Sequence, residues 1–306
     1  MYRQTMAAST ISVFGDKRQY KDGSPGLPAF DLLRWIPDPF VGLFEKEAVV
    51  NIYFNTDIDG IITDPKTGSI SGLKNRGCGK NASLIPGCVP PHVEGYYQYH
   101  KYLTLRTDEK TDPKHPKMSC FDIKNIPTGT EPGQNCIIFI AFRNQASDEK
   151  QRVLFTNDQM TRGVWTKKKS DKVSELVIQC GIRSHTTTYN TKQWQILKVQ
   201  YTCTEDVTEC NYTLYNHGSK DNVGTITSPS DLKDTSVNLF IAGFGPKKPQ
   251  NVAGQLDISS IQVYMFFNNN ILPTQMTSLI IQKLHTRTKQ HHTSKNSSSM
   301  KTSSRE

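Results

Sequence analysis

The sequence predicts an all-β fold, an antiparallel β-sandwich with short terminal helices. Three observations carry this. Apolar residues recur with a two-residue period in many short segments, turn-forming residues separate those segments, and almost no stretch between them has a helical period. The lack of helices between strands excludes a parallel α/β sheet, whose crossovers need them. The clearest unit is Thr191–Gly218. Trp194 opens a strand on which Leu197, Val199 and Tyr201 alternate. Cys203 and Cys210 bracket a polar turn, and Tyr212 and Leu214 continue on the return strand. That pattern is a β-hairpin.

Taken in order, residues 1–29 are polar, contain Gly and Pro, and read as a leader or linker. Over Phe30–Ala48, Leu32, Leu33, Trp35 and Ile36 precede Pro37 and Pro39. This is a short amphipathic helix broken at the prolines, expected to cover the sandwich. Val49–Phe54 is a strand. Asn55, Asp57, Asp59 and Gly60 then match the opening half of a calcium loop. The twelfth position, where a bidentate Glu is required, is Lys66, so an EF-hand is excluded. A looser calcium site on Asn55, Asp57 and Asp59 stays a candidate beside the plainer reading of an Asp-rich turn. Lys74–Pro91 reads as a loop holding Cys78 and Cys88. Gly95–Thr107 alternates Tyr97, Tyr99, Leu103 and Leu105 as one or two strands, and Asp108–Lys117 is a charged loop. Further strands are expected at 119–126, 135–144, 152–158, 163–168 and 174–181, and after the hairpin at 236–245 and 254–267. Residues 271–284 read as a short helix. Residues 285–306, rich in Ser, Thr, Lys and His, cannot bury a core and are expected to be a disordered basic tail. The expected organisation is an extension over 1–47, a sandwich over 48–284 and that tail.

The net charge is +9, but six Lys/Arg lie from Lys283 onward against Glu306 alone. Most of the positive charge therefore belongs to the tail, and the folded part is not expected to bind nucleic acid specifically. No stretch approaches the roughly 18 consecutive apolar residues of a membrane span. The seven cysteines have no metal-site spacing. Cys78/Cys88, Cys120/Cys136 and Cys203/Cys210 are close in sequence and read as disulfides, leaving Cys180 as a buried strand thiol. Asn81, Asn211 and Asn296 begin glycosylation sequons, the first two beside cysteine pairs, which points to an oxidising, glycosylating compartment. The N-terminus shows no apolar run of a secretory signal. The expectation is an extracellular, cell-surface or virion-surface protein, set against a cytosolic one, a fragment, a mature form or another export route.

Chemistry leaves few candidates. Glu205, Asp206 and Glu209 are the nearest acidic cluster. They lie inside the hairpin turn, where strand alternation cannot aim two carboxylates at one glycosidic bond. No Gly-x-Ser-x-Gly, Gly-rich phosphate loop or His-Glu-x-x-His occurs. His185 falls in a polar loop and reads as solvated. The sequence expects no enzyme. Lys167, Lys168, Lys169 and Lys172 crowd one turn and Lys247 and Lys248 another. On a shared rim they would form a patch for sulfate or phosphate groups; apart, they are solubilising turns.

Three stretches resemble the laminin G-like branch of the concanavalin A-like lectin/glucanase superfamily. They are 119–126 with 135–144; the pattern Trp194, Leu197, Val199, Leu214, Tyr215, Asn216, Gly218; and Ile258, Ile261 and Val263 followed by Tyr264. The likeness spans roughly residues 48–284 and consists of packing positions and one turn. The spacing of three then two in the last stretch is that of a β-bulge. His217, inserted before Gly218, and the apolar run into 265–270 depart from the family pattern. The resemblance implies a jelly-roll sandwich and non-enzymatic adhesion to glycans, sulfated polysaccharides or extracellular proteins through rim loops, with calcium as a possible cofactor. A viral structural or host-attachment protein on the same fold is the alternative, and a divergent inactive glycosidase the third reading.

Overall fold

Strand β10 (Asn135–Asn144) shows why the chain builds layers. Ile137 to Phe142 is apolar at every position, and all ten residues of the strand are buried. A strand apolar on both faces must be covered on both. Strand β13 (Val173–Cys180) alternates instead, with Ser174, Leu176, Ile178 and Cys180 buried and the residues between them half-buried. One face of β13 points inward and the other outward.

The computed structural model describes residues 48–53, 60–94, 102–105, 107–108, 117–126, 132–191, 193–216, 219–229, 238–243, 256–266 and 272–299. The chain divides into Met1–Glu47 and Ala48–Glu306, and every described residue belongs to the second unit. The amphipathic helix expected before Ala48 lies outside the described residues.

Two antiparallel sheets face each other. Sheet A orders β17 (Ser219–Pro229), β16 (Val207–Asn216), β15 (Gln195–Cys203), β10, β19 (Leu256–Phe266), β6 (Tyr102–Thr104) and β5 (His92–Glu94); β1 (Val50–Tyr53) also pairs with β19. Sheet B orders β14 (Arg183–Asn190), β13, β12 (Arg162–Lys168), β11 (Gln151–Asn157), β18 (Asn238–Ile241), β9 (Phe121–Lys124), β4 (Ala82–Leu84), β3 (Ile70–Leu73) and β2 (Ile61–Thr63). A short ladder joins β7 (Thr107–Asp108) to β8 (Lys117–Met118). Between the sheets, Ile138, Ile140 and Phe142 of β10 and Leu197, Val199 and Tyr201 of β15 share one core with Leu154, Phe155, Val164, Leu176 and Ile178 of sheet B. Each such side chain contributes about 1.5–3 kcal/mol by leaving water. The other face of sheet A meets helix α1 (Thr274–Ser299), which lies against β15 and β19. Met276, Ile280 and Leu284 are buried at four-residue spacing, the apolar stripe of a docked helix.

The hairpin forms as its period dictates: Leu197 pairs with Leu214, Val199 with Tyr212 and Tyr201 with Cys210. The expected bulge is present, since Ala141 pairs with Ser260 and Phe142 with Ile258, leaving Ser259 as the extra residue.

The structure corrects four expectations. First, the described cysteines are free thiols. Cys203 lies opposite Thr208 and Cys210 opposite Tyr201. The two residues share a face but stand diagonally, a placement that sets residues roughly 7–8 Å apart with their Cβ atoms somewhat closer, wider than the 3.5–4.5 Å or so between Cβ atoms that a disulfide spans. Cys120, just before β9 of sheet B, and Cys136, in β10 of sheet A, are both buried free thiols. Cys78 is tied to Ala48 (N to O, 2.9 Å), and the turn at Cys88 is tied to Ile85 (3.0 Å). Second, residues 285–299, expected as disordered tail, continue α1. A helix already nucleated and docked extends without a new nucleation cost, and Gln, Lys and Arg are good helix formers. Third, the polar loop expected around His185 is the edge strand β14. Fourth, the loop expected over Lys74–Pro91 contains β4.

The polar strand β17, absent from the expected strands, forms the other edge on the same side. Side chains bridge the two edges. Arg183 Nη1 donates to Thr227 O at 2.9 Å, and Asn222 Nδ2 donates to Thr188 O at 2.9 Å. Ile182 N donates to Ser228 Oγ at 3.2 Å.

Candidate functional site at the rim of the sandwich

At one end of the sandwich the β12–β13 turn lies beside the β10–β11 loop. Ser170 fixes the turn. Its hydroxyl accepts from Val173 N at 3.1 Å, while Lys169 N and Ser170 N each donate to Val173 O at 2.9 Å. This is the local side-chain-to-backbone bonding that makes serine a turn former. Strand alternation then decides where each lysine goes. Lys168 falls on the inward face with a side chain only 12% exposed. Its ammonium donates to Ser147 O at 3.2 Å and pairs with Asp171 at 2.6 Å, so it ties the two loops together. Lys169 pairs with Glu175 at 3.1 Å. Lys167 and Lys172 are exposed. Among the described residues neither has an ion pair.

The loop is held from below. Asn144 Oδ1 accepts from Ala146 N at 3.0 Å, and Asp148 Oδ1 accepts from Lys150 N at 2.8 Å. Arg152, 1% exposed, bonds Asp148 through Nη2 at 2.7 Å and donates to Lys150 O through Nη1. Burial works to raise the Asp148 carboxyl, but the Arg152 and Lys150 hydrogen bonds and charges outweigh it and hold the group below its ordinary value. Under the loop, Tyr189 OH meets Thr166 Oγ1 at 2.6 Å, and its ring meets Phe142 edge-on at 5.6 Å. Ser174 Oγ meets Thr191 Oγ1 at 2.8 Å. Burial pushes the Tyr189 hydroxyl up to about 12, with bonds to Thr166, Ser174 and Asn144 acting in the opposite direction. A neutral hydroxyl and a paired guanidinium hold shape here. The Tyr189 hydroxyl is not poised to move a proton near neutral pH.

Of the lysines expected to form one patch, the rim brings Lys167, Lys168, Lys169 and Lys172 together and neutralises two of them. Lys247 and Lys248 lie outside the described residues, as do Asn55, Asp57 and Asp59. Glu205 and Asp206 are exposed at the β15–β16 turn. Glu209 points to the outer face of sheet A, where its carboxylate accepts from Asn211 Nδ2 at 2.5 Å. Asn211 also accepts from Thr225 Oγ1 at 2.6 Å, so this sequon amide is engaged on both sides in the middle of a sheet. Asn81 is exposed and accepts from Asn75 N at 2.9 Å. Among the described residues no group of three His, Cys, Asp or Glu could hold a metal ion.

No family model matches the chain, and no curated protein does. Solved structures give weak likenesses. One, described under cell entry of botulinum neurotoxin type C through interaction with two ganglioside molecules, is 7% identical with a TM-score of 0.48, over 79% of this chain and 52% of that one. A binding domain of botulinum neurotoxin DC in complex with rat synaptotagmin II is 7% identical with a TM-score of 0.44, over 78% and 52%. A structure described as a receptor binding domain is 9% identical with a TM-score of 0.46, over 81% and 53%. The chain thus spans about half the length of these structures. The assignment of an antiparallel sandwich stands on the two sheets themselves.

Two features escaped sequence reasoning. Arg152 reads as the polar start of a strand, and only its pairing opposite Thr166 shows that it points inward. On the opposite side of the sandwich a groove of about 590 Å³ runs beside the edges β2 and β5, lined by Ile61, Ile70, Val89, Pro90, Pro91 and Val93. The sequence signal for it was the Pro-Pro dipeptide, which ends the preceding loop without joining a ladder.

Proposed function

We propose that the chain is a non-enzymatic recognition module, a laminin G-like sandwich over residues 48–284. In this reading it engages anionic glycans or acidic protein surfaces at the rim formed by residues 145–150 and 167–172, at a cell surface or outside the cell. One observation carries the reading. Lys167 and Lys172 flank one turn, which Lys168 ties to a neighbouring loop itself held by Asp148 and the buried Arg152. Preorganised loops spend little ordering entropy when a ligand arrives. Two exposed ammonium groups recognise sulfate or carboxylate through a field screened within about 8 Å at physiological salt. Binding of this kind is weak singly and gains by repetition along a polymeric ligand. The dispersed acids Glu205, Asp206 and Glu209 support a role without catalysis.

Chromatography of the full chain on a heparin matrix tests the reading, with a Lys167→Ala/Lys172→Ala double variant beside the wild type. The basic C-terminal segment is present in both, so any difference belongs to the rim. Elution of the variant at lower salt is expected. Unchanged elution removes the rim from the proposal. A glycan and protein array with and without calcium tests the ligand class and the candidate at Asn55, Asp57 and Asp59.

A further inference from the structure

Three thiols converge at the opposite end of the sandwich. Cys203 and Cys210 reach it from sheet A and Cys180 from sheet B, and all are at most 1% exposed. Cys180 Sγ lies 3.5 Å from Thr208 O, and Cys203 Sγ lies 3.8 Å from Thr208 Oγ1, so Thr208 touches both. Contacts with β15, β16 and β17 meet at the end of β13. Tyr201 OH donates to Gln179 O at 3.1 Å, and Ile182 N donates to Ser228 Oγ at 3.2 Å. A Cβ on Gly181 would come within 2.4 Å of that same Ser228 hydroxyl. Ser228 is the partner of Thr208 across β16 and β17, and Cys210 follows two residues later on the same inward face.

We infer that oxidation links Cys180 to Cys210, joining the two sheets, and not Cys203 to Cys210 within the hairpin. The diagonal register of Cys203 and Cys210 opposes their bridge, whereas Cys180 faces β16 across the core. The chemistry needs a low-molecular-weight disulfide as oxidant. One cysteine thiolate attacks it to give a mixed disulfide and one released thiol. The second cysteine then displaces the other thiol, so two protein thiols are oxidised as one small disulfide is reduced to two thiols. The folded state resists this step. Burial pushes the Cys180 thiol up to about 11, with the Arg162 charge acting in the opposite direction, and burial holds Cys210 well above its ordinary value too. Thiolate is scarce and the sulfurs are buried, so the link forms chiefly while the chain folds.

The experiment refolds the full chain from denaturant in a glutathione redox buffer, alkylates free thiols and maps peptides without reduction. Trypsin leaves Cys203 and Cys210 on one peptide, and a glutamyl protease cutting after Glu205 and Glu209 separates them. The Cys180 peptide joined to the Cys210 peptide is expected, with Cys203 alkylated. The link is expected to persist in Cys203→Ser and to vanish in Cys180→Ser. A Cys203–Cys210 or Cys180–Cys203 link, or complete alkylation of Cys180 and Cys210 after oxidative refolding, overturns the inference. Should Cys180→Ser fail to fold, the wild-type and Cys203→Ser maps decide. Adding the same buffer to already folded protein is expected to slow linkage by about ten-fold or more, because a thiol pushed up to about 11 holds far less thiolate and the stronger nucleophilicity of what remains restores only part of the rate. Equal rates in the two arms overturn the claim that folding closes the reaction.

Discussion

Strand β13 has a different chemistry at each end. At Ser174 it enters a buried polar plug, where Ser174 bonds Thr191 and Tyr189 bonds Thr166, beside Arg152, which holds the loop through Asp148. At Cys180 it enters a cluster of thiols beside Tyr201, over whose ring the Arg162 guanidinium lies at 5.7 Å. The plug makes many directed bonds, each sensitive to geometry. The thiol end packs three buried sulfurs beside the Tyr201–Gln179 and Ile182–Ser228 hydrogen bonds. One strand thus carries an end built for shape and an end that can be locked covalently. The proposed rim function belongs with the former, because loops held in place present the same surface to every ligand.

The largest test of this contrast is redox. Linking Cys180 to Cys210 closes a loop of about 30 residues and is expected to stabilise by roughly 3–4 kcal/mol in the chain-entropy model. Denaturant melts with and without reductant read that difference, and matching midpoints would mean that the thiol end gains nothing from a link. Next comes Arg152→Ala, which leaves Asp148 without its buried partner. A loss of about 2–3 kcal/mol is expected, below the usual cost of breaking a buried pair because Asp148 keeps contact with water. Hydrogen exchange would show faster opening of residues 145–150, with the thiol end unaffected. Tyr189→Phe removes one buried hydroxyl and should cost about 1 kcal/mol; a neutral result would mean that the plug does not act as a network.

The rim also has an acid limit. The Asp148 carboxyl is depressed in the folded chain, so its stabilisation is fully present above the ordinary carboxylate value. It is lost as pH falls through the lower folded value. Proteolysis of the 145–150 loop should rise in acid before the thiol end opens. The smallest effect is that of Lys167→Ala, within about 0.5 kcal/mol in stability. Its measurable consequence is earlier elution from heparin.

The sequence made the core strands legible because each face has one environment. Leu197, Val199 and Tyr201 alternate with polar residues, and their register with Tyr212 and Leu214 followed. The edge strands β14 and β17 were not legible in the same way. Ser184, Thr186 and Thr188 are exposed, and so is His185 on the other face, so no apolar period marks the strand. The cysteine pairing was misread because nearness along the chain says nothing about diagonal register, which the turn sets. At the rim, the crowding of Lys167–Lys169 was visible, but the inward course of Lys168 depended on which residue of the strand came last.

The bridge between the two edges has a consequence for how copies of this protein meet. An open pair of edges offers rows of backbone carbonyls to a neighbouring chain. Here the carbonyls of Thr227 and Thr188 are already taken by Arg183 and Asn222. On that side the sandwich ends in a sewn seam. A strand brought alongside there would find those two acceptors already engaged.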